Sequence, residues 1–490
     1  MAGDSVPRTL LIILDLRRKR MSTILPTPKI FEESSEKYTF PARIYADCAE
    51  FSLMLDAFAA SMERIHNVRP EIAAGGIAVA KDPSVRPGGY TVTCGEDGIR
   101  AAASDAEGIG YAMATLLQLI TVSGGSFAVN GAKIDDYPDK GYRAIMVDLG
   151  REWHPFDKLL RYVELCFFYK IRYLHLHFCD SKLFTMPTEA FPKMNVPGTY
   201  YTREQIASLN AYAAARNVVL IPEFECPGHA QQMCRAYPEV FSDSYEDGTP
   251  HPQSDIICAG SEAAWEGTKT LLRELIALFP DAPYIHIGGD EANLSHWEKC
   301  PVCARYMAEH GIADVHELYS DYVARATDFV LAEGKIPMVW EGFPKKGAEK
   351  ISRDVIVFAW ESMYHMAYDL LDEGFKIINA SWQPLYIVPD YQRRWGAPEI
   401  LRWNVYNWQN WNPKTEAYLN PITVAPTENV LGAMLCAWEQ TYEEEIAFVI
   451  ENLIAMCERT WTVKRRLSDE AYLQAHRKLK RMTAKLIADR

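Results

Sequence analysis

Two adjacent carboxylates, Asp290 and Glu291, follow two glycines at the end of a short apolar run that starts at Tyr284. Adjacent acids repel each other when both are ionised, so the pKa of at least one of them must move. A pair whose pKa values are pushed apart can transfer a proton and stabilise developing positive charge, whereas a solvated pair in a loop does neither. The elements around the pair decide between these two interpretations.

Short apolar runs alternate with longer amphipathic stretches through residues 136–462, which predicts repeated β/α units. Eight such units favour a closed barrel over an open sheet. No glycine-rich phosphate-binding motif follows any of the runs, which argues against a nucleotide-binding fold. The predicted strands are Tyr142–Leu149, Tyr173–Asp180, Val218–Glu225, Tyr284–Glu291, Ile336–Gly342, Asp354–Glu361, Lys376–Ser381 and Leu431–Glu439.

Polar and aromatic residues recur at the ends of these predicted strands, and in a barrel those ends meet on one rim. Each residue alone is more often structural than ligand-binding, but their convergence predicts a pocket lined by carboxylates and indoles. Carboxylates accept hydrogen bonds from hydroxyl groups, and flat aromatic faces pack against pyranose rings, so a sugar is the implied ligand. The strand-end residues are Asp148, Asp180, Glu225, Asp290, Glu291, Trp340, Glu341, Trp360, Glu361, Trp438 and Glu439.

The rest of the chain predicts a smaller unit and two terminal segments. Residues 22–135 contain short β-like runs, a hairpin turn at 95–98 and a helix at Glu107–Ile120, which together predict a small α+β domain. Residues 1–21 are expected to form a disordered extension, and residues 463–490 a helix packed on the barrel. The predicted fold class is therefore α/β, a (β/α)8 TIM barrel preceded by a small α+β domain.

The charge and composition of the chain argue against some classes of binding partner. A net charge of −14 argues against a nucleic-acid partner, which would favour a basic face. No apolar run is long enough to span a membrane. Because no export signal is recognised, the 11 cysteines are expected to be reduced thiols in the cytoplasm.

The stretch H-I-G-G-D-E-A at 286–292 resembles the catalytic signature of family 20 glycoside hydrolases, the β-N-acetylhexosaminidases. The resemblance extends over nearly all of the chain from residue 22. D-Y-P-D-K-G-Y-R-A-I-M-V-D-L-G-R at 136–151, H-L-H-F-C-D at 175–180 and E-F-E-C-P-G-H-A at 223–230 are similar to the family's first three strand motifs. The resemblance implies a terminal β-linked N-acetylhexosamine, GlcNAc or GalNAc, as substrate, with no cofactor and no metal in the reaction.

The resemblance also implies roles for individual residues. Asp290 and Glu291 match the catalytic pair. Arg143 and Glu439 match residues that bind sugar hydroxyls, and Tyr386 matches a tyrosine that hydrogen-bonds the acetamido carbonyl. The remaining matches to pocket residues are Asp180, His229, Trp340, Trp360 and Trp438.

Two positions depart from the family pattern. S-K-L-F follows Asp180 where the family usually has a second Asp and then Gln-Gly-Trp. Tyr386-Ile387-Val388 replaces the family's Tyr-x-Asp, so the hydroxyl-binding Asp is either missing or displaced to Asp390. These departures concern the sugar preference and the aglycone site and leave the chemistry intact.

The implied mechanism is substrate-assisted, because family 20 is an exception to the two-carboxylate scheme of retaining glycosidases. The acetamido oxygen of the substrate attacks C1 and forms an oxazolinium intermediate. Asp290 would stay ionised and orient the acetamido group, and Glu291 would be the general acid and then the base. Burial and the neighbouring charge are expected to raise the pKa of Glu291.

Two other functions are compatible with the same barrel. His175, His177, His229, His286 and Asp290 could form the site of a metal-dependent hydrolase, although this leaves the Trp-rich rim unexplained. A non-catalytic sugar-binding protein is the second alternative, and the presence of both acids argues against it.

A single C-P-V-C motif at 300–303 could hold zinc together with Cys258 or His296. One C-x-x-C without a second pair is a weak signal, and packed thiols are the favoured interpretation because free cysteines are commonly buried.

Overall fold

The computed structural model describes residues 24–389 and 395–489, and the chain divides into two compact units between Tyr137 and Pro138. The sequence places this boundary two residues earlier, between 135 and 136. The predicted extension at 1–21 lies outside the described residues.

The first unit is a mixed sheet with two helices, Ala49–His66 and Ala106–Leu119. The second helix begins after Asp105, whose carboxylate accepts a hydrogen bond from the backbone N–H of Gly108. It confirms the predicted helix within one residue at each end, whereas the first helix was not predicted. The strands are β1 (Ile30–Pro41), β2 (Arg43–Ala46), β3 (Glu71–Ile72), β4 (Ile77–Lys81), β5 (Tyr90–Gly95), β6 (Gly98–Ala103), β7 (Thr121–Ser123) and β8 (Ser126–Asp136).

The second unit contains a closed barrel of eight parallel strands, in which the last strand pairs with both the first and the seventh. This confirms the predicted barrel and all eight predicted strands. All eight strands end sooner than predicted, because the last residues of each predicted strand belong to the loop that follows. The barrel strands are β9 (Tyr142–Asp148), β10 (Tyr173–His177), β11 (Val219–Glu223), β12 (Tyr284–His286), β13 (Ile336–Trp340), β14 (Ile356–Ala359), β15 (Lys376–Asn379) and β19 (Val430–Ala437). The short strands β16 (Tyr386–Ile387), β17 (Asn407–Trp408) and β18 (Ile422–Thr423) lie between β15 and β19.

Amphipathic helices connect the barrel strands. Side-chain caps define where several of them begin: Thr202 and Gln205 form a capping box, and Asp314 accepts hydrogen bonds from two backbone N–H groups. The longer helices are Phe156–Phe168, Arg203–Ala214, Glu262–Leu278, Pro301–His310, Val315–Ala332, Tyr442–Trp461 and Asp469–Leu486. The short helices and 3-10 turns are Pro192–Met194, Gln231–Ala236, Pro238–Phe241, Ser295–Lys299, Ala348–Lys350, Ala367–Asp372, Trp382–Leu385, Ala397–Arg402 and Glu416–Tyr418.

Apolar side chains fill the N-terminal part of the barrel interior. Tyr142 and Tyr173 stack with ring centroids 4.6 Å apart, and Tyr284 packs edge-on against Tyr173 at 5.9 Å. Successive residues of a strand face opposite sides, so alternate residues of β9 after Tyr142 also face inward. These inward-facing residues extend from the aromatic layer to Asp148 at the C-terminal end of the strand.

Across residues 24–389 and 395–489, no helix combines the length and apolar character that crossing a membrane requires. The helix predicted for the C-terminal segment is present at Asp469–Leu486. It lies against the helix Phe156–Phe168 and its neighbouring turn, where the Tyr169 and Thr483 hydroxyl groups are 2.8 Å apart.

Barrel closure depends on Gly432, and we expect Gly432→Ala to destabilise the second unit. Gly432 has φ +155°, and a Cβ there would lie 1.8 Å from the backbone oxygen of Tyr142, which the sheet holds in place. Overpacking of this kind costs about 1–3 kcal/mol. Urea unfolding would measure the loss. Gly374→Ala is the matched control, since Gly374 has φ +91° but open space around its Cβ; equal losses in both variants would contradict the packing argument.

Candidate active site

The C-terminal ends of the barrel strands surround one pocket. Its walls combine carboxylates, one guanidinium group and aromatic rings. The lining residues are Arg151, Asp290, Glu291, Trp360, Trp382, Tyr386, Val388, Trp438 and Glu439. Six of these were predicted as site residues, while Arg151, Trp382 and Val388 were not.

Stacked aromatic rings form one side of the pocket. Trp360 and Tyr386 lie parallel, with an interplanar angle of 2° and centroids 6.0 Å apart. Trp382 stacks on Tyr386 at 4.7 Å, and Trp438 is tilted against Tyr386 at 6.0 Å. Flat faces of this kind suit the C–H faces of a sugar ring.

Trp340 lies behind this wall and does not line the pocket. It is 1% exposed, and its indole N–H donates to Glu223 Oε1 at 2.6 Å. Its ring centroid is 5.9 Å from that of Trp438, so Trp340 fixes the position of a pocket wall. The structure therefore gives this predicted pocket residue a supporting position.

The two glycines before the acids form a turn whose backbone angles favour glycine. Gly288 has φ +69°, and a Cβ there would lie 1.7 Å from Glu225 Oε2. Gly289 has φ +94°, and its carbonyl accepts a hydrogen bond from the Tyr319 hydroxyl at 2.6 Å. Glycine is the residue that adopts such angles without a steric penalty.

This turn separates the environments of the two acids. Asp290 is 8% exposed and lies against Gly342, where a Cβ would come within 2.5 Å of its Cα. Its Oδ1 is buried and has no hydrogen-bond partner within residues 24–389 and 395–489. Glu291 has φ 45° and a side chain that is 44% exposed. One acid therefore lies deep in the pocket, and the other lies at its mouth.

A buried chain of charges leads from the first barrel strand to Glu291. Arg151 contacts Asp148 Oδ2 at 3.2 Å and Asp180 Oδ2 at 2.9 Å. His229 Nδ1 donates to Asp180 Oδ1 at 3.2 Å, and its Nε2 faces Glu291 Oε2 at 3.5 Å. Asp180 and His229 thus support the acid at the mouth of the pocket.

Burial and charge shift the pKa values of the acids in opposite directions. Burial and the charge of Glu291 raise the pKa of Asp290 to about 7, against the opposing effect of His229. The hydrogen bond from His229 lowers the pKa of Glu291. Burial lowers the pKa of His229, but the carboxylates of Asp180, Glu291 and Asp290 together raise it well above its ordinary value. The expectation of a raised pKa for Glu291 is wrong in this state of the protein, since sequence alone did not show the adjacent cation.

The glutamates that directly follow Trp340, Trp360 and Trp438 in the sequence have different roles. Glu341 accepts hydrogen bonds from the backbone N–H groups of Trp360, Ser362 and Met363 at 2.9–3.1 Å and so holds the loop that carries Trp360. Glu439 lines the pocket. Burial, and then the charge of Glu291, raise the pKa of Glu361 to about 8.

The prediction that Arg143 binds the sugar is wrong. Arg143 is the second residue of β9 and faces away from the barrel interior, because neighbouring residues of a strand alternate. Its guanidinium group donates to the carbonyls of Lys140 and Lys170 and lies 5.0 Å from the ring of Trp461. Arg151, which follows the C-terminal end of the same strand, is the arginine of the pocket.

Of the four histidines proposed for a metal site, only His229 lies beside the catalytic acids, and the other three contact Glu223 inside the barrel. His175 Nε2 and His286 Nδ1 approach Glu223 inside the barrel at 3.0 and 2.7 Å, and both side chains are fully buried. His177 bridges Glu223 and Asp180. Glu223, which the sequence did not single out, is thus the shared partner of all three histidines. The residue named as a displaced hydroxyl-binding acid, Asp390, lies outside the described residues.

Comparison with known proteins agrees with this arrangement. The model of "Glycosyl hydrolase family 20, catalytic domain" matches residues 141–464, and that of "Glycosyl hydrolase family 20, domain 2" matches residues 21–137. A beta-hexosaminidase of Vibrio furnissii is 26% identical over 454 residues, which cover 85% of this chain and 72% of the relative.

Solved structures share the fold. The GH20 exo-β-N-acetylglucosaminidase of Vibrio harveyi, solved in complex with N-acetylglucosamine, has a TM-score of 0.79 and 22% identity, covering 94% of this chain and 77% of that one. The β-N-acetylhexosaminidase of Bacteroides fragilis NCTC 9343 has a TM-score of 0.77 and 21% identity, covering 94% and 96%. The catalytic-domain model alone matches residues 141–464, which is well over half of this chain. The chain therefore belongs to glycosyl hydrolase family 20 and is a glycoside hydrolase.

Proposed function

We propose that the protein is a retaining exo-β-N-acetylhexosaminidase that releases terminal GlcNAc or GalNAc by substrate-assisted catalysis. The observation that carries this proposal is the buried, unpartnered Oδ1 of Asp290 among the described residues of the aromatic pocket. An acceptor without a partner in a buried site is costly, so the position favours a ligand that brings an N–H group. The acetamido group of an N-acetylhexosamine has one.

The division of labour follows from the positions of the two acids. Asp290 accepts the acetamido N–H and stabilises the positive charge that develops on this group as its oxygen attacks C1. Glu291, at the mouth of the pocket, donates a proton to the leaving oxygen and then removes a proton from the incoming water. The substrate supplies the nucleophile, so no second carboxylate is needed opposite Glu291.

The pKa order of the free pocket supports a single proton shared by the pair. Before substrate binds, burial favours the proton on Asp290, and His229 favours an ionised Glu291. The reaction needs the opposite arrangement. An acetamido N–H directed at Asp290 favours its ionised form, and a sugar over Glu291 displaces the water that stabilises its charge. Substrate binding then moves the proton to Glu291 without uptake from solution.

Arg151 and Glu439 are the proposed binding groups for the sugar hydroxyls, with Arg151 in the role first assigned to Arg143. Asp148 and Asp180 hold the guanidinium group of Arg151, which lies 5.0 Å from the ring of Trp438. A group fixed in this way binds a hydroxyl without a further loss of side-chain entropy.

Asp290→Asn should lower kcat for an aryl N-acetylglucosaminide by about 10²- to 10³-fold, as loss of one preorganised electrostatic partner does elsewhere. The wild type should also be a poor catalyst for the matching aryl glucoside, which lacks the acetamido nucleophile. Asp328→Asn, on an exposed helix position, is the matched control. Full activity of the Asp290 variant, or comparable activity on the glucoside, would contradict the mechanism.

Glu291→Gln should show a loss that depends on the leaving group. With a 2,4-dinitrophenyl leaving group, which departs without protonation, kcat/KM should fall less than about 10-fold, and with a disaccharide it should fall about 10²- to 10⁴-fold. A loss of the same size on both substrates would show that Glu291 does not donate the proton.

His229→Gln keeps a hydrogen-bond donor but removes the positive charge that lowers the pKa values of both acids. Both pKa values should therefore rise, and the kcat/KM profile should move to higher pH on its acidic and basic limbs. His316→Gln, at an exposed helix position, is the control and should leave the profile in place. A move to lower pH would contradict the assigned charge of His229.

A further inference from the structure

Three buried thiols meet outside the pocket. Cys258 lies in the loop before the helix Glu262–Leu278, and Cys300 and Cys303 lie at the start of the helix Pro301–His310. The Cys258 sulfur is 3.8 Å from that of Cys300 and 3.7 Å from that of Cys303, and all three sulfurs lie within 4.8 Å of one another. Each residue is at most 1% exposed.

The spacing of the sulfurs suits a shared metal ion. Zinc binds thiolates at about 2.3 Å in tetrahedral geometry, which places neighbouring sulfurs about 3.8 Å apart. A disulfide needs about 2.05 Å between sulfurs, so neither Cys300 nor Cys303 is bonded to Cys258. The distances from Cys258 to both partners match the tetrahedral value.

Backbone groups around the cluster form hydrogen bonds with two of the sulfurs, as is common for metal-bound thiolates. The N–H of Ser244 donates to the Cys300 sulfur at 3.4 Å, and the backbone of Gly260 hydrogen-bonds the Cys303 thiol. N–H donors directed at sulfur stabilise the thiolate form, which is the form that binds metals.

The two segments that supply the sulfurs are packed closely. A Cβ at Gly260 would lie 2.6 Å from the carbonyl oxygen of Val302 and 2.8 Å from the Cα of Cys303. The Cys258 N–H also donates to the carbonyl of Phe241 at 2.8 Å. The sulfurs therefore need no rearrangement of the backbone to share an ion, which favours metal binding by a preorganised site.

We propose that Cys258, Cys300 and Cys303 bind one Zn²⁺ as thiolates, with a solvent molecule in the fourth position. Soft thiolate ligands with no hard oxygen ligand select zinc over magnesium or calcium. In the part of the chain that the structure describes, no further His, Cys, Asp or Glu completes the set of ligands. Ser244, whose N–H donates to the Cys300 sulfur, also lines a cavity together with His296.

The ion would tie together the loops that carry two site residues. The segment after Ser254 hydrogen-bonds on both sides of His229, through Ile257 to the Pro227 carbonyl at 2.8 Å and through the Asp255 carbonyl to the Ala230 N–H at 3.0 Å. The Trp297 indole N–H, six residues after Glu291, donates to the Ile257 carbonyl at 3.0 Å. The zinc would thus have a structural role and take no part in the reaction.

Metal analysis of the full-length protein, purified without chelator, tests the proposal. We expect about one zinc per chain in the wild type and a loss of zinc in Cys258→Ser, Cys300→Ser and Cys303→Ser. Cys234→Ser is the matched control, because Cys234 is also fully buried and lies 3.5 Å from the Ile256 carbonyl, outside the cluster. Zinc-free wild type from zinc-supplemented medium would overturn the proposal, and so would an equal loss of zinc in the control.

A second measurement avoids variants that fold poorly. Titration of the wild type with an organic mercurial should release zinc in step with thiol modification, and Co²⁺ in its place should give the visible absorption of a tetrahedral cobalt–thiolate site. Absence of thiolate absorption with bound Co²⁺ would overturn the assignment of the ligands, and this outcome is independent of the proposed glycosidase mechanism.

Discussion

The buried carboxylate of Glu223 is the interaction on which the site depends. Burial alone would raise its pKa, but His177 and the other two barrel histidines hold it well below the ordinary value. An ion inside a barrel is stable only when its oxygen atoms are fully engaged, and here His177 and Trp340 donate at 2.5 and 2.6 Å. His177 in turn contacts Asp180, which positions His229, while Trp340 supports the pocket wall at Trp438. One anion in the interior thereby orients both the proton-transfer side and the aromatic side of the pocket.

Adjacent acids with different environments follow from the local backbone. Gly288 and Gly289 turn the chain at the end of β12, so Asp290 enters the pocket and Glu291 reaches its mouth beside His229. In a regular strand the two side chains would simply face opposite sides of the sheet. The resulting pKa order is opposite to the order that the proposed mechanism needs, and in that mechanism this difference makes the position of the shared proton sensitive to the substrate. If Asp290 were already ionised and Glu291 already protonated in the free protein, substrate binding would not move the proton.

The barrel, its eight strands and most of the rim could be predicted from sequence because length, periodicity and strand-end polarity are local signals. Arg143 and Arg151 could not be separated in this way, since the choice depends on where β9 begins and which face each residue takes. Trp382 was missed because it lies in an irregular turn between β15 and β16 that has no periodic pattern. The low pKa of Glu291 depends on a histidine 62 positions earlier in the chain. The sequence named Cys258 and His296 as alternative partners of the C-P-V-C motif but favoured packed thiols, because only the folded loops show that the Cys258 sulfur lies 3.8 Å from that of Cys300.

Because the backbone is strained at the rim of the barrel, the loops there must be held in place by specific contacts. His229, Glu291 and Glu439 all have positive φ, at 52°, 45° and 59°, in a region that side chains other than glycine rarely adopt. Each costs about 1 kcal/mol or more, so these conformations persist only where the surroundings determine them. For Glu439 the tie is the hydrogen bond from its N–H to Asp148 Oδ2 at 3.2 Å. For His229 and Glu291 it is the segment around Ile257, which is adjacent to Cys258 of the thiol cluster. Loosening that cluster would let the two loops relax toward ordinary backbone angles, which would separate the imidazole from the acid it controls.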